Sequence, residues 1–219
     1  MSANSITLRQ RIIEVCHQME RSGLNRGTSG NVSCREGDYF LITPSGVPVP
    51  QLNPEGIVAM DFTGKIIGEG KPSSEWHFHL DLLKNRPELN AIVHTHSPHA
   101  TALACLREDL PAFHYMIAIA GGDSVRCAPY ALFGTETLSS HAVSAMKDRK
   151  ACLLANHGLI AAGRDLDEAM AVATEIESLC QQYLLARQTG QPVLLSSEEM
   201  LAVIARFRSY GRNVNQTHQ

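Results

Sequence analysis

The sequence predicts a single α/β sandwich, a sheet of short strands covered by helices. Short apolar runs rich in Val, Ile and Leu alternate with helical periodicity along the whole chain. At 219 residues it has the length of one larger domain with a full core. No internal repeat, linker or low-complexity stretch divides it, so residues 1–219 read as one domain.

From Ile6 to Arg21, Ile12, Ile13, Cys16 and Met19 recur at helical spacing, and Gly23 supplies a stop. A turn-rich stretch, Gly27-Thr28-Ser29-Gly30-Asn31, leads into a strand over Val32 to Arg35. A second strand, Phe40 to Thr43, is closed by Pro44-Ser45-Gly46. Ile57 to Asp61 and Lys65 to Ile67, split by Phe62-Thr63-Gly64, form a hairpin. Ser73-Ser74 offers an N-cap to a helix from Glu75 to about Lys84. Ile92 and Val93 mark a strand that Pro98 ends, and Pro98 to Cys105 is helical. Strands are expected at Met116 to Ile119 and Val125 to Ala128, then a helix from Glu136 to Lys147. Ala151 to Leu154 and Leu159 to Ala162 are strands on either side of Asn156-His157-Gly158. Leu166 to Arg187 is the longest helix, with Ile176, Leu179 and Tyr183 on one stripe. Ser196 and Glu199 make a capping box for a last helix ending near Phe207, followed by a polar tail, 212–219, expected to be mobile.

A net charge of −3 and a pI of about 6.4 give no basic field for nucleic acid or acidic lipid. No apolar run approaches the roughly 20 residues of a membrane span. The six cysteines (Cys16, Cys34, Cys105, Cys127, Cys152, Cys180) show neither CxxC spacing nor scaffold density. With a start that lacks the charged and apolar regions of a signal peptide, this predicts reduced thiols and a cytoplasmic protein.

His94-Thr95-His96 carries the most chemistry. On a strand, residues i and i+2 point to the same face, so both imidazoles can grip one cation at the strand's rim. His77 and His79 share that spacing but lie on a helix, about 200° apart around the axis. His157, between two apolar runs and before Gly158, is the natural third ligand. Glu75 is the best carboxylate to complete the set, although His79, one helical turn on, competes with it. Three imidazoles and a carboxylate suit Zn²⁺ or a similar divalent ion. His17, His99, His141 and His218 read as ordinary core or surface residues.

Gly27–Asn31 and Thr43–Gly46 can expose backbone N–H groups and hydroxyls, and Ser73-Ser74 opens a helix whose free N–H groups favour an anion. Together they could hold a phosphate with little help from Lys or Arg. The five lysines sit in polar contexts, without the apolar pocket of a Schiff-base amine. No GxSxG elbow, Walker loop or dinucleotide fingerprint is present. A metal ion is the only evident electrophile.

These residues occur in the order found in the class II aldolase/adducin family: Gly27-Thr28-Ser29-Gly30-Asn31, Ile42-Thr43-Pro44-Ser45-Gly46, Lys71-Pro72-Ser73-Ser74-Glu75-Trp76, Val93-His94-Thr95-His96 and Asn156-His157-Gly158-Leu159. Phe113-His114-Tyr115-Met116, Cys127-Ala128-Pro129-Tyr130-Ala131, Phe133-Gly134-Thr135 and Ser209-Tyr210-Gly211 extend the likeness. From about residue 8 to 211, the chain resembles the family's ketose-1-phosphate aldolases, above all the type that cleaves L-fuculose 1-phosphate.

The resemblance implies a three-layer αβα sandwich around a mixed, mostly antiparallel sheet, and a C4 homotetramer with active sites between subunits. It implies one Zn²⁺ per subunit, with Co²⁺ or Mn²⁺ as substitutes, held by Glu75, His94, His96 and His157. A phosphate pocket would come from Thr28, Asn31, Ser45, Gly46, Ser73 and Ser74. Tyr115 would act in the neighbouring subunit's site and Tyr210 in a mobile tail over substrate. The implied reaction cleaves a ketose 1-phosphate (L-fuculose, 5-deoxyribulose or 5-(methylthio)ribulose 1-phosphate) to dihydroxyacetone phosphate and an aldehyde, with Glu75 and Tyr115 handling protons. Three alternatives are weaker: a pentulose-phosphate 4-epimerase, whose branch carries Asp where this chain has Glu75; a sugar-phosphate dehydratase; and an adducin-like scaffold, which should lack the ligands.

Overall fold

The structure, a computed structural model, describes residues 3–210, with side chains over 7–207. The polar tail, 212–219, lies outside the described residues. The strands are β1 (Asn31–Glu36), β2 (Tyr39–Ile42), β3 (Val58–Asp61), β4 (Ile66–Ile67), β5 (Ala91–Thr95), β6 (Arg126–Ala128), β7 (Ala151–Leu154) and β8 (Gly158–Gly163). The helices are α1 (Ala3–Arg21), α2 (Trp76–Asn85), α3 (Pro98–Cys105), α4 (Glu136–Ala145), α5 (Leu166–Thr189) and α6 (Ser197–Tyr210).

All eight strands join one sheet in the order β4-β3-β2-β1-β5-β8-β7-β6. Every neighbouring pair is antiparallel except β6 and β7, which run parallel. Side-chain alternation sorts the core into two halves. Val32, Val93, Leu153 and Leu159 face a layer containing Ile12 of α1, Leu103 of α3 and Ile176 of α5. Phe40, Ile92, Cys152 and Ile160 face Phe78 and Leu82 of α2 and Leu138 of α4. The expected three-layer sandwich is therefore present. Because helices cover both faces of β5, its apolar residues are wholly buried, about 1.5–3 kcal/mol for each large side chain. Among the described residues no helix is long and apolar enough to cross a membrane.

Most elements fall where the sequence puts them, and α3 and β7 match to the residue. Two expectations are corrected. Residues Tyr115–Ala120 form a 3-10 helix rather than a strand. Ile117 and Ala120, fully buried and three apart, match the period of that helix. His114 accepts a hydrogen bond from the Met116 N–H, and left-handed Gly121 closes the turn. The N-cap position of α2 is occupied by Glu75 instead of Ser73 or Ser74, and its side chain makes no capping bond. That leaves the carboxylate free for other partners. The capping box of α6 forms as expected, with Glu199 N–H on Ser196 Oγ and Ser196 N–H on Glu199 Oε2, but the helix runs on to Tyr210.

Candidate metal centre and its cavity

The four predicted ligands converge from three places in the fold. His94 lies on β5 and His96 just beyond its end. His157 sits in the loop of the β7–β8 hairpin, where Asn156 adopts a left-handed conformation (φ 53°) that Asn tolerates well. Glu75 precedes α2. One donor atom from each of the four lies within 4.8 Å of all the others.

The three imidazoles form a tripod, with ring centroids 4.8–4.9 Å apart and planes inclined by 76–77°. His94 Nε2 is 3.0 Å from His96 Nε2 and 3.3 Å from Glu75 Oε2, and His157 Nε2 is 3.2 Å from Glu75 Oε1. A tetrahedron with bonds of about 2.0–2.2 Å has edges of about 3.4 Å, so these separations suit a divalent ion.

Protonation points the same way. His94 Nδ1 donates to the Leu159 carbonyl at 3.0 Å, which fixes the ring with Nε2 facing His96 Nε2. Burial, then the nearby His94 and His157, push His96 down to about 4, so its ring is neutral near pH 7. Burial alone would raise the Glu75 carboxyl, but His94 and His157 outweigh it and hold it well below the usual carboxylate range. Glu75 Oε1 is buried without an aligned hydrogen bond, although His157 Nε2 is near. A buried carboxylate oxygen facing three ring nitrogens is a donor set that suits a cation.

His79 is excluded from that set. Its Nδ1 is 2.7 Å from Ser33 Oγ and its Nε2 is bonded to Asn31 Oδ1, so both ring nitrogens are engaged. Burial, then His94, lower it to about 3. Asn31 is paired across the ladder with His94 and donates from Nδ2 to Glu75 Oε2 at 3.0 Å.

A cavity of about 320 Å³ adjoins the cluster. It is lined by all six residues expected to bind phosphate, Thr28, Asn31, Ser45, Gly46, Ser73 and Ser74, as well as by Glu75, His96 and His157. No Lys or Arg is among its described lining residues. Tyr115 is not brought there. Half exposed, it lines a separate hollow with Met116, Val203, Arg206 and Phe207. Tyr210 closes α6, and its side chain lies outside the described residues.

Sequence reasoning missed Asn25. This buried side chain accepts the His96 N–H on Oδ1 at 2.9 Å. It packs so tightly on Gly30 that a Cβ there would lie 2.0 Å from its Nδ2. Asn25 therefore ties the Gly-rich turn to the end of the ligand strand. No local signal marks it, because its hydrogen-bond partner is a backbone group 71 residues away. The exposed aromatics Tyr130 and Phe133 also line the cavity, and only their place in the quoted motifs hinted at it.

Comparison with known proteins agrees with this geometry. The family described as Class II Aldolase and Adducin N-terminal domain matches residues 10–184. The chain is 50% identical over 213 residues to the 5-methylthioribulose-1-phosphate/5-deoxyribulose-1-phosphate aldolase of Rhodospirillum rubrum, covering 97% of this chain and 96% of the relative. It is 49% identical over 211 residues to the L-fuculose phosphate aldolase of Escherichia coli K12, covering 95% and 98%. A solved structure of L-fuculose 1-phosphate aldolase matches with a TM-score of 0.90 at 41% identity, over 95% of this chain and 98% of that one.

Proposed function

The chain belongs to the class II aldolase and adducin family, and on that premise we propose that Glu75, His94, His96 and His157 form the metal centre of a lyase that anchors its substrate by a phosphate. The protein is a class II ketose-1-phosphate aldolase of carbohydrate metabolism. The observation that carries the site assignment is the four-donor cluster opening onto a cavity lined by two Gly-rich turns and a helix start.

Thr28, Asn31, Ser45, Gly46, Ser73 and Ser74 hold the phosphate through N–H and O–H groups, an arrangement suited to a dianion without a counter-charge from Lys or Arg. The resident ion is Zn²⁺, for which Co²⁺ or Mn²⁺ can substitute, because three imidazoles and a carboxylate are its preferred donors. Bound there, it would supply a Lewis acid for the negative charge left next to a carbonyl when a carbon–carbon bond breaks. Tyr115, contributed by the neighbour in a C4 homotetramer, exchanges a proton with the C4 oxygen that becomes the aldehyde, and Tyr210 closes over the substrate. Tyr115 is half exposed and is not among the residues lining its own chain's cavity, which supports a role in trans. Glu75 carries the proton to and from C3, the carbon exposed when C3–C4 breaks. The enzyme acts in the cytoplasm.

These groups address the half of the substrate that L-fuculose 1-phosphate, 5-deoxyribulose 1-phosphate and 5-(methylthio)ribulose 1-phosphate share. The deciding experiment supplies each in turn to the Zn²⁺-loaded protein and detects dihydroxyacetone phosphate by a coupled assay. Product from at least one is expected, and none from any would end the reading.

A further inference from the structure

The His79 ring lies completely buried behind the site, and its two nitrogens complete a chain of side chains: Ser33, His79, Asn31, Glu75. The polarity of every link follows from its last member. Asn31 Nδ2 donates to Glu75 Oε2 at 3.0 Å, so the amide turns its NH₂ toward the carboxylate. The Asn31 amide oxygen then faces His79, and since it too only accepts, the ring nitrogen opposite must carry the proton. A neutral ring protonated at Nε2 has a bare Nδ1, and the Ser33 hydroxyl, 2.7 Å away, supplies its proton.

Asn31 also lines the cavity. With its oxygen engaged by His79, it can offer the cavity N–H only. We propose that His79 is a positioning residue: acting through Asn31, it holds the amide with N–H groups toward Glu75 and the cavity, and so orients the carboxylate and makes this wall of the anion pocket a pure donor. The inference rests on the reading of the cavity as a phosphate pocket. Both nitrogens are satisfied, as a buried imidazole requires, and one of the two partners, Asn31, leads into the site.

A double-mutant cycle with inorganic phosphate as the probe tests this. His79→Leu frees the Asn31 amide to turn its oxygen to the cavity. Inhibition by inorganic phosphate should weaken, and kcat/KM should fall, by roughly 10- to 100-fold, the loss expected for one hydrogen bond to a charged group. His79→Gln, which keeps a donor, should recover most of the loss. In an Asn31→Ala background, His79→Leu should have little further effect. Equal losses in both backgrounds would mean that His79 acts on the fold and not through Asn31, and would overturn the proposal. If His79→Leu does not fold, Ser33→Ala takes its place in the cycle, with a smaller loss expected and the same criterion. In ¹⁵N-histidine-labelled wild-type protein the His79 ring should show the Nε2–H tautomer, and the Nδ1–H form would refute the proposal outright. A wild type that cleaves none of the three ketose phosphates removes the aldolase reading, while the tautomer still decides the role of His79.

Discussion

Gly158 and Thr95 meet so closely that a Cβ on Gly158 would lie 2.3 Å from the Thr95 carbonyl oxygen, and 3.1 Å from Cδ2 of His96. The hairpin that carries His157 is thus pressed against the strand that carries His94, and only a residue without a side chain permits it.

Gly158→Ala should therefore damage the centre and the fold together. Overpacking against backbone costs about 3 kcal/mol, or a Tm about 6–12 °C lower in a chain of this size. Calorimetry and metal content measured side by side check this, and a variant with wild-type Tm and full metal would contradict the contact.

Glu75→Gln should cut turnover by roughly 10²–10⁴-fold, the range for losing a general acid–base, while the chain stays folded. The three imidazoles remain to hold the ion. Circular dichroism, metal analysis and dihydroxyacetone phosphate release separate the outcomes. Unfolding of this variant would make Glu75 a structural residue instead.

Tyr115→Phe should lower kcat by a similar factor and leave inhibition by inorganic phosphate unchanged. Two inactive variants offer a sharper test. Mixed oligomers of Tyr115→Phe and Glu75→Gln subunits contain some sites with both wild-type residues if Tyr115 acts in trans. Reappearance of activity on subunit exchange is the expected result, and continued silence counts against the shared site.

Chelation should lower thermal stability, because the ion binds only where the fold gathers its ligands. A site filled at 1,000-fold above its dissociation constant contributes about 4 kcal/mol. Added Zn²⁺ or Co²⁺ should restore both Tm and turnover, and a Tm indifferent to chelator would argue against the cluster as a metal site.

Glu168 provides a test of pH dependence outside the site. Its carboxylate accepts from Lys150 Nζ at 2.7 Å and from the Arg164 N–H at 2.8 Å. Burial works against ionisation, but these partners hold the carboxyl below its ordinary 4.5. A folded-state value below the unfolded one means stability that is present above the unfolded value and lost as pH falls through the folded one. Glu168→Gln should cost about 1–2 kcal/mol near neutral pH. The Tm difference from wild type should shrink steadily below pH 4.5.

Periodicity and breakers made the central elements legible. Pro98 marked the start of α3, and the apolar run at 151–154 read as a buried strand, which it is. The stretch around Ile117 was misjudged because a short apolar run suits a strand or a buried helical turn equally well, and only packing decides between them. In the site, the His94/His96 pair at the end of β5 was legible because strand geometry fixes which side chains share a face. Asn25 and the His79 chain were not, since their partners lie on other elements and a hydrogen bond across the fold leaves no periodic trace. Tyr115 was singled out by the motif alone, and within the described chain it lines a separate hollow rather than the cavity.

The placement of β5 has a kinetic consequence. Four strands lie to one side of it and three to the other, and all five of its residues are buried. Its amides should exchange with solvent only when the whole molecule opens, whereas His157 sits in a hairpin loop and Glu75 before α2, both outside the strand ladder. An ion leaving the intact protein should therefore let go of Glu75 and His157 first, with His94 the last contact to break.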